Sequence, residues 1–299
     1  MSNQTYHKGY CLKLVNGDGW WITSDDENIR LIDKLASIMK LQECPLDNSV
    51  KIIFAKTLNS GISKIHAPDI ANAIIEERWD FFNYRSVHIW HNDSINDIIC
   101  EVMGNQDELI DYIVLMNSLL PVYLRNLEMK GLPLHTALAE YKGKGVLFAA
   151  PGGTGKSTCC RRLPDYWTPL CDDEALIVLD KNDIYRAHPF PTWSDYLIKR
   201  EENTWDVQYS VPISAIFFIE QSEHDEVIYI DNRKATLLIT GSSNQILTSF
   251  FHSMEKEQKI KISREMFNNA FDMAKKIPVF RLRVSLNGQF WKEAEKIIE

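Results

Sequence analysis

Alternating and helically spaced apolar residues divide the chain into short strands and amphipathic helices. Tyr10-Cys-Leu-Lys-Leu-Val15 and Trp20-Trp-Ile-Thr23 are β-prone runs on either side of Asn16-Gly-Asp-Gly19, a pattern that predicts a hairpin. Ser24-Asp-Asp-Glu-Asn28 suits a helix start, and Ile29, Leu31, Ile32, Leu35, Ile38 and Met39 then recur near helical spacing. Residues 50–55 predict another strand, and residues 86–91 and 97–103 a strand pair. Residues 59–83 carry no clear period, although Ala67-Pro68-Asp69 is suited to open a short helix. Residues 107–129 predict one long amphipathic helix, stopped by Gly131-Leu-Pro133.

Beyond that stop, residues 134–141 and 145–149 predict strands joined by a turn at Lys142-Gly-Lys-Gly145. A helix is expected from Thr158, then strands over 175–179 and 184–188, the second broken by Pro189-Phe-Pro191. Residues 213–219, 226–230 and 279–284 also read as strands, 243–276 as mostly helix, and 289–298 as a closing helix. The order predicts an α/β chain, α+β overall, with an N-terminal α+β region over 1–130 and a nucleotide-binding domain over 131–299.

The chain has 299 residues, 45% hydrophobic and 25% charged, which is the profile of a folded protein with a substantial core. A net charge of −8 argues against a general nucleic-acid binder. No run is long enough to span a membrane, and Met1-Ser-Asn-Gln-Thr-Tyr6 lacks a signal pattern, so a soluble cytoplasmic protein is expected. The six cysteines show no Cys-x-x-Cys spacing and no disulfide framework, and reduced thiols are expected.

One stretch carries chemistry. Ala150-Pro151-Gly152-Gly153-Thr154-Gly155-Lys156-Ser157-Thr158 matches a phosphate-binding loop, with Ala150 at the usual first glycine. It follows the apolar run Gly145-Val-Leu-Phe-Ala149 and opens the expected helix, the context such a loop requires. Glycines let successive N–H groups curl around phosphate oxygens, and the helix start adds a favourable dipole. Lys156 is suited to the terminal phosphates and the Ser157 hydroxyl to Mg²⁺. Such a loop needs a carboxylate partner for the metal, and Asp172-Asp173 follows one helix and one strand later. Adjacent carboxylates on an extended chain point to opposite sides, so one can bind metal while the other accepts a proton.

His135 and His188 are further acid/base candidates, each with a structural role as its default reading. Arg161, Arg162, Lys199 and Arg200 are candidate phosphate clamps with solvation as the default. His88 and His91 read as hydrogen-bonded strand histidines more readily than as a metal pair.

The order His135, Tyr141, Gly143, Gly145-Val146-Leu147, Gly155-Lys156-Ser157 and Leu170-Cys171-Asp172-Asp173 resembles the catalytic domain of HPr kinase/phosphorylase. That resemblance implies a P-loop domain with a mixed sheet, related to phosphoenolpyruvate carboxykinase, and covers about residues 131–196. Longer strings resemble the ScmC-type family of the SynChlorMet cassette, a peptide-modification cluster: Leu132-Pro-Leu-His135, residues 149–163, and Ala187-His-Pro-Phe-Pro-Thr-Trp-Ser-Asp-Tyr196.

By position, the resemblance implies that Pro151, Gly152, Gly153, Thr154, Gly155, Lys156, Ser157 and Thr158 hold ATP or GTP. It implies Mg²⁺ at Ser157 and Asp172, Asp173 as general base with Asp172 assisting, and His135 near the transferred phosphate. Thr158 stands where true HPr kinases carry an acidic residue, and their Glu-Ile-Arg-Gly signature is absent, so HPr sensing and phosphorolysis are not carried over.

The expectation is therefore a Mg²⁺-requiring kinase acting on a hydroxyl of a precursor peptide from its own gene cluster. Other maturation enzymes of the cluster are its possible partners, and neither nucleic acid nor membrane is expected among them. A nucleotide-binding module that presents the peptide without phosphorylating it is the alternative, and a small-molecule kinase a third.

Overall fold

A computed structural model gives the fold of residues 8–46, 49–56, 80–84, 86–92, 95–103, 107–151, 154–198 and 203–299. The chain forms two compact units, Met1–Val122 with Trp193–Thr204, and Tyr123–Thr192 with Trp205–Glu299. No helix among the described residues is long and apolar enough to cross a membrane.

The first unit is built on a seven-stranded mixed sheet. Its strands are β1 (Gly9–Lys13), β2 (Gly19–Ser24), β3 (Gln42–Glu43), β4 (Val50–Lys56), β5 (Asp80–Tyr84), β6 (Val87–Asn92) and β7 (Ile95–Val102), in the order β3-β1-β2-β4-β7-β6-β5. The predicted β1–β2 hairpin forms, and β2, β4 and β7 run parallel. Helix α1 (Ile29–Met39) connects β2 towards β4 and buries Leu31, Ile32, Leu35, Ala36, Ile38 and Met39. A short 3₁₀ turn precedes it, where the Asp25 carboxylate accepts from the Asn28 N–H.

Three expectations change here, and one holds. Strand β5 begins inside the stretch that lacked a period and ends one residue beyond it, and Ala67-Pro68-Asp69 lies outside the described residues. The predicted helix over 107–129 is two helices, α2 (Glu108–Ser118) and α3 (Leu120–Glu128). Pro121 has no N–H to continue the ladder, and the Leu119 N–H reaches back no further than the Met116 carbonyl, a tighter i→i−3 bond. Cys11 and Cys44 form a disulfide, contrary to the expected reduced thiols, while Cys100, Cys159, Cys160 and Cys171 are free and buried. The pairing arises because β3 lies beside β1, with Cys11 opposite Gln42, which no local spacing foretells. Finally, His88 and His91 stand three residues apart along β6 and so face opposite sides of the sheet. Nδ1 of His88 lies 3.2 Å from the Glu101 carboxylate, which also accepts from Trp90 at 3.3 Å.

The second unit holds an eight-stranded mixed sheet: β8 (Leu132–Tyr141), β9 (Lys144–Ala149), β10 (Thr168–Cys171), β11 (Glu174–Leu179), β12 (Tyr185–Phe190), β13 (Val211–Gln221), β14 (Glu226–Tyr229) and β15 (Val279–Val284). Strands β8 and β9 form the expected hairpin, its turn at Lys142 and Gly143 using φ of +50° and +76°. Strand β9 pairs in parallel with β13, and β13 with β15.

On one sheet face, alternate residues form a continuous core: Ala137, Ala139 and Tyr141 of β8, Val146 and Phe148 of β9, Ala215, Phe217 and Ile219 of β13, and Phe280, Leu282 and Val284 of β15. Helices α4 (Lys156–Arg162) and α8 (Phe290–Ile298) contribute Cys159, Cys160, Phe290, Ala294 and Ile298 to the same core. Fully burying one such aromatic stabilises by roughly 1.5–3 kcal/mol.

Strand β12 continues through Pro189 to Phe190 instead of stopping before it. Of β12, only Arg186 and Ala187 pair with β13, so the missing N–H of Pro189 leaves no ladder bond unmade on that side. Among the remaining helices, α5 (Trp193–Leu197) belongs to the first unit, and α6 (Asn232–Leu247) and α7 (Lys256–Lys276) to the second. Helix α6 starts well before residue 243 because Asp231 caps it, accepting from the Arg233 and Lys234 N–H groups. Its buried face includes Ala235, Thr236, Ser242 and Ser243, small and polar residues that blur an apolar period.

Candidate functional site

The site is organised by strand β8. Its first residues, 132–135, pair with β11, and its later residues pair with β10 on one side and β9 on the other. Strands β10 and β11 therefore run along one edge of β8, and Asp172-Asp173 is the step between them. The register places Glu174 opposite His135, and the Thr136 N–H donates to the Asp173 carbonyl. This pairing brings together residues far apart in the chain.

Strand β9 ends at Ala149, the glycine-rich loop follows, and α4 opens at Lys156. Ala150 is absent from the residues with positive φ, so its side chain costs nothing in backbone strain. Gly155 caps the helix at φ +109°, a conformation that L side chains rarely adopt. A Cβ there would meet nothing within 4 Å, so the space beside it is open. Gly152 and Gly153 lie outside the described residues. Pro151 and Thr158 are exposed, and Ser157 is half-buried. The Gln221 amide at the end of β13 donates to the Thr154 carbonyl at 3.2 Å, tying the loop to the neighbouring strand.

Lys156 is buried, and its Nζ donates to the Ala150 carbonyl at 3.0 Å. The same Nζ lies 2.6 Å from Nε2 of His135. Nδ1 of His135 lies 3.2 Å from Oδ1 of Asp173. A charged lysine only donates, so Nε2 of His135 accepts and its Nδ1 carries the proton towards Asp173. Burial pushes the Lys156 ammonium below the usual lysine range, opposed by the charges of Asp173 and Asp172. Burial and then the neighbouring Lys156 charge likewise push His135 down, and Asp173 opposes them. The four predicted residues Lys156, His135, Asp172 and Asp173 thus form one electrostatic cluster.

The two aspartates differ in their partners. Oδ1 of Asp172 accepts from the Thr192 hydroxyl at 2.8 Å, whereas Asp173 faces His135. Ser157 and the aspartates offer oxygen donors, the kind Mg²⁺ takes. Among the described residues, no group of three His, Cys, Asp or Glu side chains is placed to hold a metal unaided.

Two predicted candidates fall elsewhere. His188 is fully buried, its Nδ1 donates to the Val207 carbonyl at 2.9 Å, and burial pushes its pKa down to about 4. Arg162 donates to the carbonyls of Ser285 and Gly288, at 2.9 and 2.6 Å, and lies over the Phe290 ring, so it clamps the loop after β15. Arg161 is exposed, and Lys199 and Arg200 lie outside the described residues.

Two residues of the cluster were missed from sequence. Thr192 was visible only as part of the Pro-Phe-Pro-Thr string. Glu174 completes the Asp-Asp-Glu run; it is buried, its pKa is pushed up to about 8, and it accepts from the Tyr123 hydroxyl at 2.5 Å.

The fold and site define a mixed α/β protein with a glycine-rich strand-to-helix loop closed by a lysine, a histidine and an aspartate pair. Residues 98–299 match the SynChlorMet cassette protein ScmC family, and the chain belongs to that family. No curated protein matches it.

Proposed function

We propose that the protein is a Mg²⁺-requiring P-loop kinase of the HPr kinase type, transferring phosphate from ATP or GTP to a hydroxyl of a peptide made in its own gene cluster. The observation that carries this reading is the convergence of Lys156, His135 and Asp173 beside the loop that begins at Ala150. Backbone N–H groups from Gly152 to Thr158 would hold the phosphates, with Pro151, which has none, leading into the cradle. Ser157 and Asp172 would hold Mg²⁺, which neutralises phosphate charge when bound.

In this reading Lys156 leaves the Ala150 carbonyl and His135 to meet the terminal phosphates, where it stabilises charge developing on the transferring group. Asp173 takes the proton of the incoming hydroxyl, and His135, held by the same carboxylate, keeps that aspartate oriented. The family's description as a cassette protein is what supports an acceptor made in the same gene cluster, and a peptide is the acceptor proposed.

The test is transfer from γ-labelled ATP with Mg²⁺ to the precursor peptide encoded beside this gene, read by mass spectrometry with Lys156→Ala as control. A phosphate mass gain lost in the variant supports the kinase. ATP binding with the peptide unmodified favours the presenting module instead.

A further inference from the structure

Thr192 follows the Pro189-Phe190-Pro191 string, which no step above uses. In the β11–β12 ladder Phe190 faces Glu174, so two further residues on β12 and two earlier on β11 bring Thr192 level with Asp172. Pro191, level with Asp173, has no N–H with which to continue the ladder. The two strands therefore stop exchanging backbone bonds where the aspartates stand, and a side-chain bond takes over. Thr192 is 3% exposed, and its hydroxyl donates to Oδ1 of Asp172 at 2.8 Å.

That bond has a directional consequence. One oxygen of Asp172 is engaged by a neutral donor inside the protein, which fixes the plane of the carboxylate and leaves Oδ2 for another partner. The Asp172 charge also acts on Lys156, which places this carboxylate near the cluster. Asp173 has a different neighbour, an imidazole 3.2 Å away. A carboxylate steadied by a buried hydroxyl is suited to hold a cation. One set against an imidazole is suited to proton transfer.

We infer that Thr192 is a positioning residue that orients Asp172 as the metal-side carboxylate and so leaves Asp173 for the acceptor proton. This inference rests on the nucleotide-binding reading above. Outer-sphere partners of a metal-ligating carboxylate typically matter by about 10–100-fold in metal affinity.

The test is Mn²⁺ binding, followed by loss of the free-ion signal in electron paramagnetic resonance, to ATP-saturated wild-type, Thr192→Val and Thr192→Ser proteins. ATP affinity in excess chelator is measured in parallel. The valine variant keeps the shape of the buried side chain and removes only the hydroxyl. It is expected to weaken Mn²⁺ binding about ten-fold with metal-free ATP affinity unchanged, and serine is expected to restore it. Wild-type Mn²⁺ affinity in the valine variant overturns the inference, as does an equal loss of metal-free ATP binding. Wild-type protein that takes up no ATP with or without metal overturns the nucleotide reading itself, before any variant is compared.

Discussion

Nζ of Lys156 stands 2.6 Å from Nε2 of His135, although one residue opens α4 and the other lies in β8. The contact requires a neutral imidazole that accepts from the ammonium, and Asp173 on the far nitrogen stabilises that tautomer. Protonating His135 would set two cations against each other. The histidine is therefore expected to stay neutral below the usual histidine pKa, with its proton on Nδ1, as ¹⁵N shifts of the imidazole through a pH titration will read. Lys156→Met should move that titration upward, because it removes a cation, and Asp173→Asn should move it downward. Shifts of the opposite sign would mean that the three groups are not coupled.

Glu174 provides a second pH test. Its pKa is about 8 in the folded protein because burial outweighs the Tyr123 hydrogen bond. The sign follows from its being raised. In the unfolded chain the group ionises near 4.5. The folded state thus binds the extra proton between these values, and the contribution to stability is lost as pH rises towards and through 8. Glu174→Gln mimics the protonated side chain and still accepts from Tyr123. Denaturant unfolding should therefore find its stability relative to wild type increasing from pH 6 to pH 9.

His188 shifts the opposite way, down to about 4 from an ordinary 6.5. The unfolded chain binds a proton that the folded one refuses, so stability falls as pH drops from 6.5 towards 4. With the histidine fully buried, the loss over that window is on the order of 3 kcal/mol. Carboxylates titrate in the same range, so the readout is the difference between wild type and His188→Gln. That variant keeps a donor for the Val207 carbonyl and should flatten the acid limb of the unfolding profile.

The strand and helix on either side of the loop from Ala150 to Thr158 were legible because the signal is local: glycines, a lysine and a hydroxyl in one string after an apolar run. The β8–β9 hairpin was equally legible, since Lys142-Gly143 is a turn signal by itself. What joins the loop to His135 and Asp173 is the register of β8 against β11, a pairing across 39 residues, from His135 to Glu174. No window of residues contains it. Thr192 was hidden for the same reason, inside a proline string whose local meaning is a strand end. The early start of α6 was obscured because serine and threonine line its buried face, and the split at Pro121 because the apolar period runs through it. Cys11 and Cys44 carry no spacing signal, and only the pairing of β3 with β1 brings them together.

That disulfide makes its own prediction. It closes a loop with a sequence separation of 33 residues, for which loss of unfolded-chain entropy corresponds to about 3–4 kcal/mol. Cys44→Ser should lower the stability of the first unit by about that amount under oxidising conditions. In excess dithiothreitol the variant and wild type should unfold together. A difference that persists in reductant would assign the loss to packing around Cys44, whose backbone carbonyl accepts from the Trp21 indole.

The decisive substitution for the proposed chemistry is Asp173→Asn. Asparagine keeps the size of the side chain and puts an amide oxygen where the carboxylate oxygen stands 3.2 Å from Nδ1 of His135, so the cluster should remain assembled. It cannot hold the proton of an attacking hydroxyl. Phosphate transfer to the peptide should then fall by about 10²–10⁴-fold while ATP affinity stays within a few-fold of wild type. Lys156→Ala should behave differently, losing nucleotide affinity and transfer together, because its ammonium is assigned to the phosphates in both ground and transition states. Equilibrium binding of a fluorescent ATP analogue, measured beside the transfer assay, separates the two. If Asp173→Asn loses binding as Lys156→Ala does, Asp173 belongs to the nucleotide and metal side, and the proton must leave by another group. His135 would be the first to examine, since its neutral imidazole already lies between the lysine and the carboxylate.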